Sequence, residues 1–306
     1  MTPLRKPAAL RKGDLIGVVA PAGVVKPDDL AAGVRRLEEL GFRVKLGRSV
    51  HRTAHYLAGR DRDRAADLTE MFTDPEVRAV VAARGGYGTS RVIPLLDPDL
   101  LSQHPKIFVG SSDLTLLLHF LWTSCRLVTF HGPMVSPNFG KYSSPTTNDT
   151  FIRILGSTSV PGPFLVTGVK ALKGGSAEGV LTGGCLTLVC QTIGTPYEMQ
   201  TEGAILFLED INEPPYRIDR MLTYLKQLGK FDAVRAVVFG LMPDCHPSPQ
   251  EIYTLEDVIR DVLGDLPCPI LFDFPSGHGG TNVTLPFGVR AAVDGATLSV
   301  LEAPVS

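Results

Sequence analysis

The chain has 306 residues, 44% of them hydrophobic and 20% charged, which is the balance of a globular protein large enough for one big or two medium domains. Thirty basic and 32 acidic side chains leave a net charge of −2, so the electrostatic footprint of a nucleic-acid binder is missing. No apolar run is long enough to span a bilayer, and the basic start MTPLRKPAALRKGDLIGVVAPAG lacks the apolar stretch and cleavage site of a signal peptide, so a cytosolic protein is expected. Five cysteines, Cys125, Cys185, Cys190, Cys245 and Cys268, are scattered without a CxxC pair and predict neither a disulfide framework nor a zinc site. Cys245-His246 in MPDCHPSPQ reads as loop rather than metal ligands.

The first half alternates. LIGVVAPAG reads as a buried strand. KPDDLAAGVRRLEELG reads as a helix with Leu30, Val34, Leu37 and Leu40 at helical spacing, Asp28 or Asp29 as cap and Gly41 as stop. FRVKLG is a strand and GRDRDRAADLTEMFTDPEV a helix with a charged outer face. RAVVAA is a strand that enters the glycine-rich turn and helix of RGGYGTSRVIPLLD. KIFVG is a strand, DLTLLLHFLW a buried helix, and LVTFHGP a fifth strand. Such alternation predicts parallel βαβ units with helices on both faces of one sheet. The α/β domain is expected to run over 1–135. Residues 136–165, rich in Ser, Thr, Pro and Gly, read as a linker with one short helix at TFIRIL. Beyond it, EGVLTG, GAILFLED, RAVVFG, PILFD, GVRAAVD and TLSVLE read as strands, with helices at PPYRIDRMLTYLKQLG and TLEDVIRDVLG. Strands outnumber helices there, so 166–306 is expected to be a smaller β-rich domain.

Chemistry in open α/β sheets gathers at the carboxyl ends of strands. VVAPAG, VAARGGYG and FVGSSD end there. In the last, strand, sharp turn and helix have the shape of a nucleophile elbow, with Gly110 relieving the turn and Ser112 at its apex. The full G-x-S-x-G pattern fails at Leu114, and Ser112 or Asp113 acting only as a helix cap is the plainer alternative. A nucleophilic serine needs a base. His119 sits in the apolar helix and reads as packing. His131, in FHGPM, is a candidate, and so is His278, flanked by glycines in SGHGG. A carboxylate to orient the base is available where ILFLED ends in Glu209-Asp210, unless that pair only caps the helix at Pro214-Pro215.

ARGGYG, GSSDLT, TFHGP, GGCLTL, LFLEDINEPPYRIDR and SGHGGTNVTLPFG occur in the order found in the LD-carboxypeptidase family of serine peptidases, which the chain resembles from about Gly17 to Gly288. The resemblance implies a Ser-Glu-His triad that falls on Ser112, Glu209 and His278. It also implies a flavodoxin-like or class I glutamine-amidotransferase-like N-terminal domain with a mostly parallel sheet, a β-rich C-terminal domain, a site between them, a homodimer and no cofactor. Two departures stand out: the family's G-G-N-L is Gly183-Gly184-Cys185-Leu186, and the usual aromatic before the nucleophile is Ser111.

The implied reaction removes a terminal D-alanine from a cell-wall tetrapeptide by way of an acyl-enzyme. The N–H groups of Asp113 and Gly86 are the expected oxyanion donors, each worth about 3 kcal/mol of barrier. Arg84, Gly85 and Tyr87 are expected at the substrate, and the 85–88 turn offers amides to its carboxylate. That turn lacks the Gly-Lys-Ser/Thr ending of a phosphate loop. Two rivals remain. Relatives of the microcin-immunity type hydrolyse acyl-adenylate analogues and need an aromatic platform; the chain's one tryptophan, Trp122, falls in the buried helix, which argues against that use. A non-catalytic two-lobed small-molecule binder would keep the glycine turns without needing the three side chains together.

Overall fold

The computed structural model describes residues 4–142 and 144–306. Strand β1 (Leu15–Val19) is buried on both faces, as a continuous apolar run in a parallel sheet must be. Helix α1 (Pro27–Glu39) starts with proline at its first position, turns Leu30, Gly33 and Leu37 inward, and stops before Gly41, whose φ is +98°. Its cap residue is Lys26. Asp28 and Asp29 lie inside the first turn, where they favour the positive end of the helix dipole rather than capping. The chain continues through β2 (Arg43–Leu46), α2 (Asp61–Thr73), β3 (Val77–Ala82), the short α3 (Thr89–Val92) and α4 (Pro98–Gln103). Then come β4 (Ile107–Gly110), a 3-10 turn at Ser112–Leu114, the buried α5 (Thr115–Thr123) and β5 (Thr129–His131).

The stretch expected to be a linker with one short helix carries two helical segments. A π-helical turn covers Val135–Lys141, and α6 (Pro145–Gly156) buries Phe151, Ile154 and Leu155. The second half adds β6 (Gly162–Pro163), β7 (Lys170–Lys173), β8 (Ser176–Cys185), α7 (Leu186–Thr192), β9 (Ala204–Glu209), α8 (Pro215–Gln227), β10 (Ala236–Phe239), α9 (Leu255–Leu263), β11 (Ile270–Phe272), β12 (Leu285–Phe287), β13 (Arg290–Asp294) and β14 (Thr297–Val300).

Two sheets result. The first runs β12-β5-β4-β3-β1-β2, and its five N-terminal strands are parallel in the flavodoxin-like order 2-1-3-4-5. Its antiparallel edge, β12, comes from the second half of the chain. The second sheet runs β6-β14-β13-β8-β9-β10-β11-β7, with β8 to β11 parallel and antiparallel strands at both ends.

The alternation along β9 decides how the sheets meet. Ile205 and Phe207 join the core shared with the first sheet. Leu206 and Leu208 join a second core with Leu186, Ile218, Leu222 and Ile259 under the outer helices. Side chains alternate faces along a strand, so Glu209 follows Phe207 toward the first sheet and Asp210 turns outward.

Candidate active site

Ser112 stands where β4 gives way to the helix, at φ +61°. A non-glycine residue rarely takes that conformation, and a serine held there on a strand-turn-helix presents its hydroxyl outward. The turn is tight: a Cβ on Gly110 would come within 2.8 Å of the Leu114 Cβ. Ser112 does not cap the helix, because no side-chain cap bond forms at this end. Asp113 is buried and turned away, its carboxylate accepting from the N–H of Thr89 at 2.8 Å and from the Thr89 hydroxyl. Burial raises its pKa, although the bonds from Thr89 oppose the shift. The N–H of Asp113 lies in the first turn, where helix geometry supplies no intrahelical acceptor.

The glycine turn after β3 lies against this serine. A Cβ on Gly85 would stand 2.8 Å from the Ser112 Cβ and 3.0 Å from its Oγ, so only glycine fits beside the hydroxyl. The carbonyl of Gly85 accepts from the N–H of Gly23 at 3.0 Å, which ties the turns after β1 and β3 together across the point where the strand order reverses. Gly86 is exposed at φ +108°.

Glu209, fully buried at the end of β9, accepts from Nδ1 of His278 at 2.6 Å and from the His278 backbone N–H at 3.1 Å, both on Oε2. The preceding Gly277 is at φ +112°, and a Cβ there would meet Oε2 at 2.5 Å, so glycine is what lets the loop close on the carboxylate. Burial alone would push the Glu209 carboxyl up, but the His278 ring and its hydrogen bonds hold it below the ordinary carboxylate value. For His278, burial works to lower the pKa, and the Glu209 charge and hydrogen bond outweigh it, leaving it above the ordinary imidazole value. A carboxylate can only accept, so Nδ1 carries the proton and Nε2 is the free base. Asp210 takes the other face. It accepts from the N–H and hydroxyl of Thr187, both at 2.8 Å, and so caps α7, not the helix at Pro214-Pro215.

The two halves are stitched by Asn282, which the sequence analysis did not single out. Its side chain reaches Ser111 Oγ at 3.5 Å and accepts from the Gly277 N–H at 3.0 Å, linking the Ser112 turn to the His278 loop. Ser111, a departure from the family pattern, thus has a structural partner. The other departure, Cys185, donates its N–H to Thr115 Oγ1 at 3.1 Å at the start of α7. No hydrogen bond joins Ser112 to His278 among the described residues; such contacts are often long before substrate binds.

A cavity of about 550 Å³ opens at this junction. From the first half its wall includes Lys26, Arg84, Ser111, Lys141 and Tyr142; from the second it includes Ile211, Asp244, Gly277 and His278. Arg84 donates to the carbonyl of Val24 at 2.6 Å while lining it. Tyr87 is not in that wall: its half-exposed ring lies 5.9 Å from Tyr56. His119 is packing, as expected, with Nε2 on the Gly183 carbonyl at 2.8 Å, and burial lowers it to about 4. His131, a candidate base in the sequence, is fully buried, its ring 5.0 Å from that of Phe207, and it does not line the cavity. Trp122 stacks on His119, 6.1 Å between ring centroids.

Residues 16–132 match the LD-carboxypeptidase N-terminal domain and residues 178–293 the LD-carboxypeptidase C-terminal domain. The chain belongs to the LD-carboxypeptidase family. It is 42% identical to the probable murein peptide carboxypeptidase of Bacillus subtilis (strain 168) over 98% of this chain and 95% of that protein. The muramoyltetrapeptide carboxypeptidase structure from Oxalobacter formigenes superposes with a TM-score of 0.82 at 31% identity, over 93% of this chain and 97% of that one. The structure of MccF in complex with glutamyl sulfamoyl guanosine superposes with a TM-score of 0.92 at 26% identity, over 98% and 99% of the two chains. As an LD-carboxypeptidase family member, the chain is a serine-type hydrolase.

Proposed function

We propose that the protein releases the terminal D-alanine of murein-derived tetrapeptides, with Ser112, His278 and Glu209 as its catalytic triad. The observation that carries this reading is the Glu209–His278 bond of 2.6 Å, at the same junction as a serine in left-handed backbone geometry. Ser112 Oγ attacks the carbonyl of the L,D bond and its proton passes to Nε2 of His278. Glu209 stabilises the imidazolium. The N–H groups of Asp113 and Gly86 face the developing oxyanion. His278 then protonates the departing amine, D-alanine leaves, and water activated by the same nitrogen hydrolyses the acyl-enzyme. Gly85 keeps the floor beside the hydroxyl open. Lys26, Arg84 and Lys141 outnumber Asp29 and Asp244 in the cavity wall, which favours a substrate rich in carboxylates. We place the enzyme in the cytoplasm, as a homodimer; sedimentation at working concentration tests the second point.

Incubation with L-Ala-γ-D-Glu-meso-diaminopimelate-D-Ala tests the reaction. The parent protein releases free D-alanine, and His278→Ala loses well over a hundredfold in rate, as triad removals do. Full release by that variant contradicts the assignment.

Tyr142, an aromatic side chain in the cavity wall, favours a second substrate class, acyl-sulfamoyl or acyl-phosphoramide adenylates hydrolysed by the same three residues. The ratio of kcat/KM for the tetrapeptide and for aspartyl sulfamoyl adenosine separates the two.

A further inference from the structure

His131 closes β5 without any exposed surface. It pairs with Gly110 of β4, two residues before Ser112, and with Leu285 of β12. Its ring packs between Phe207 and Phe287, at centroid distances of 5.0 and 5.7 Å. Phe207 and Glu209 share the inner face of β9, so the ring on which the imidazole packs is the inward-facing neighbour of Glu209, and the Glu209 charge acts on His131.

Among the described residues, neither ring nitrogen of His131 has a partner within hydrogen-bond distance, and neither does Oε1 of Glu209. Buried polar groups are nearly always paired, and a slot between two phenylalanines would accept a third at little cost. His119 Nδ1, Thr129 Oγ1 and Thr284 Oγ1 nearby are unpartnered too, but His131 and Glu209 are the pair in which a neutral ring N–H can serve a carboxylate. The titratable groups facing His131 are Glu209 from β9 and His278 from its loop, with His119 of α5 on Phe287, 6.4 Å between their ring centroids. Burial is the main cause that lowers His131, to about 4. It is therefore neutral across the range in which a serine hydrolase works, with one donor and one acceptor nitrogen.

We propose that His131 is a positioning residue for the triad, donating one ring N–H through a single bridging water to the Oε1 oxygen that His278 leaves free. Glu209 is then fixed at both oxygens, Oε2 by His278 and Oε1 by the bridge. A carboxylate fixed in this way holds the imidazole of His278 in one plane, with Nε2 toward Ser112. This inference rests on the triad reading given above.

The test compares parent, His131→Phe, His131→Gln and Ser112→Ala, measuring D-alanine release from the tetrapeptide against pH together with thermal unfolding. His131→Phe is expected to unfold no earlier than the parent, keep KM within about twofold, and lose at least about tenfold in kcat. The acid limb of its kcat/KM profile moves to higher pH, because a carboxylate with one bare oxygen, and the histidine on the other, both take up a proton more readily. His131→Gln, which retains a donor, recovers part of kcat and moves the limb back. A His131→Phe protein with the parent's kcat and pH profile overturns the inference. So does a loss of kcat that follows a lowered unfolding temperature with the limb unmoved, since that is a merely structural role. Inactive Ser112→Ala beside an unchanged His131→Phe removes this inference alone, whereas active Ser112→Ala removes the triad and the inference together. A high-resolution crystal structure of the parent gives a check that needs no variant to fold: a water within hydrogen-bond reach of both His131 and Oε1 supports the bridge, and its absence overturns it.

Discussion

The carboxyl ends of β4 and β9 both place polar residues at a buried edge, and they meet the cost of burial in opposite ways. At β4 the proposed nucleophile is neutral. Ser112, partly buried, is held in left-handed backbone geometry, while the acid beside it, Asp113, is turned inward and satisfied by Thr89. At β9 the acid itself is the proposed triad member. Two adjacent carboxylates go to opposite faces: Asp210 is satisfied by a helix start, and Glu209 by a histidine across the crevice. The contrast shows in their titration. Burial raises Asp113 and Asp210 above the ordinary carboxylate value, whereas Glu209, although more deeply buried, is held below it by His278. One strand end therefore depends on shape and the other on charge, and substitutions should separate the two.

The largest effect is expected at the neutral end. Ser112→Ala should cost on the order of a thousandfold or more in kcat with little change in unfolding temperature, measured by D-alanine release and calorimetry. Glu209→Gln comes next, at roughly a hundredfold or more in kcat, because the amide no longer dictates the tautomer of His278. It also changes the pH dependence. The base form of His278 appears as pH rises through a value lifted above 6.5, so the activity midpoint of Glu209→Gln should fall relative to the parent. The sign for stability follows the same shifts. The raised His278 stabilises the fold fully below its ordinary value and loses that contribution as pH rises through its folded value. The lowered Glu209 contributes above its ordinary value of 4.5 and loses it as pH falls through its folded value. Glu209→Gln should flatten both edges of a plot of unfolding temperature against pH.

Asn282→Ala acts on the tie between the two ends. It leaves the Gly277 N–H without its acceptor, and a loss of about 1–3 kcal/mol in stability together with a fall in kcat is expected from denaturant unfolding and turnover. Lys141→Ala is the mildest. Its ammonium is exposed at the cavity wall, so KM for the tetrapeptide should rise by only about three- to tenfold with kcat unchanged, and added salt should narrow the difference.

The α/β alternation of the first half was legible because β1, β3 and β4 are apolar runs bounded by Gly, Pro and Asp. The proposed carboxylate and histidine stood out for a related reason: a charge ending an apolar strand and a histidine between glycines both break local expectation. Other features depend on distant partners. Helix α6 opens with Thr, Asn and Asp, weak helix formers, and is longer than the six residues expected because Thr147, Thr150 and Phe151 are buried against the first core. Helix α7 carries no local cap signal, since its cap, Asp210, comes from the end of β9. Strand β12 has a central proline, tolerated because it is an edge strand. Asn282 looked like loop; only its pairing with Ser111 and Gly277 reveals the tie.

The most direct test of the account is to treat the protein with a fluorophosphonate and locate the adduct by peptide mass spectrometry. The adduct is expected on Ser112 in the parent, with much slower labelling in His278→Ala. Labelling confined to another serine such as Ser111, while Ser112→Ala still releases D-alanine, would contradict it.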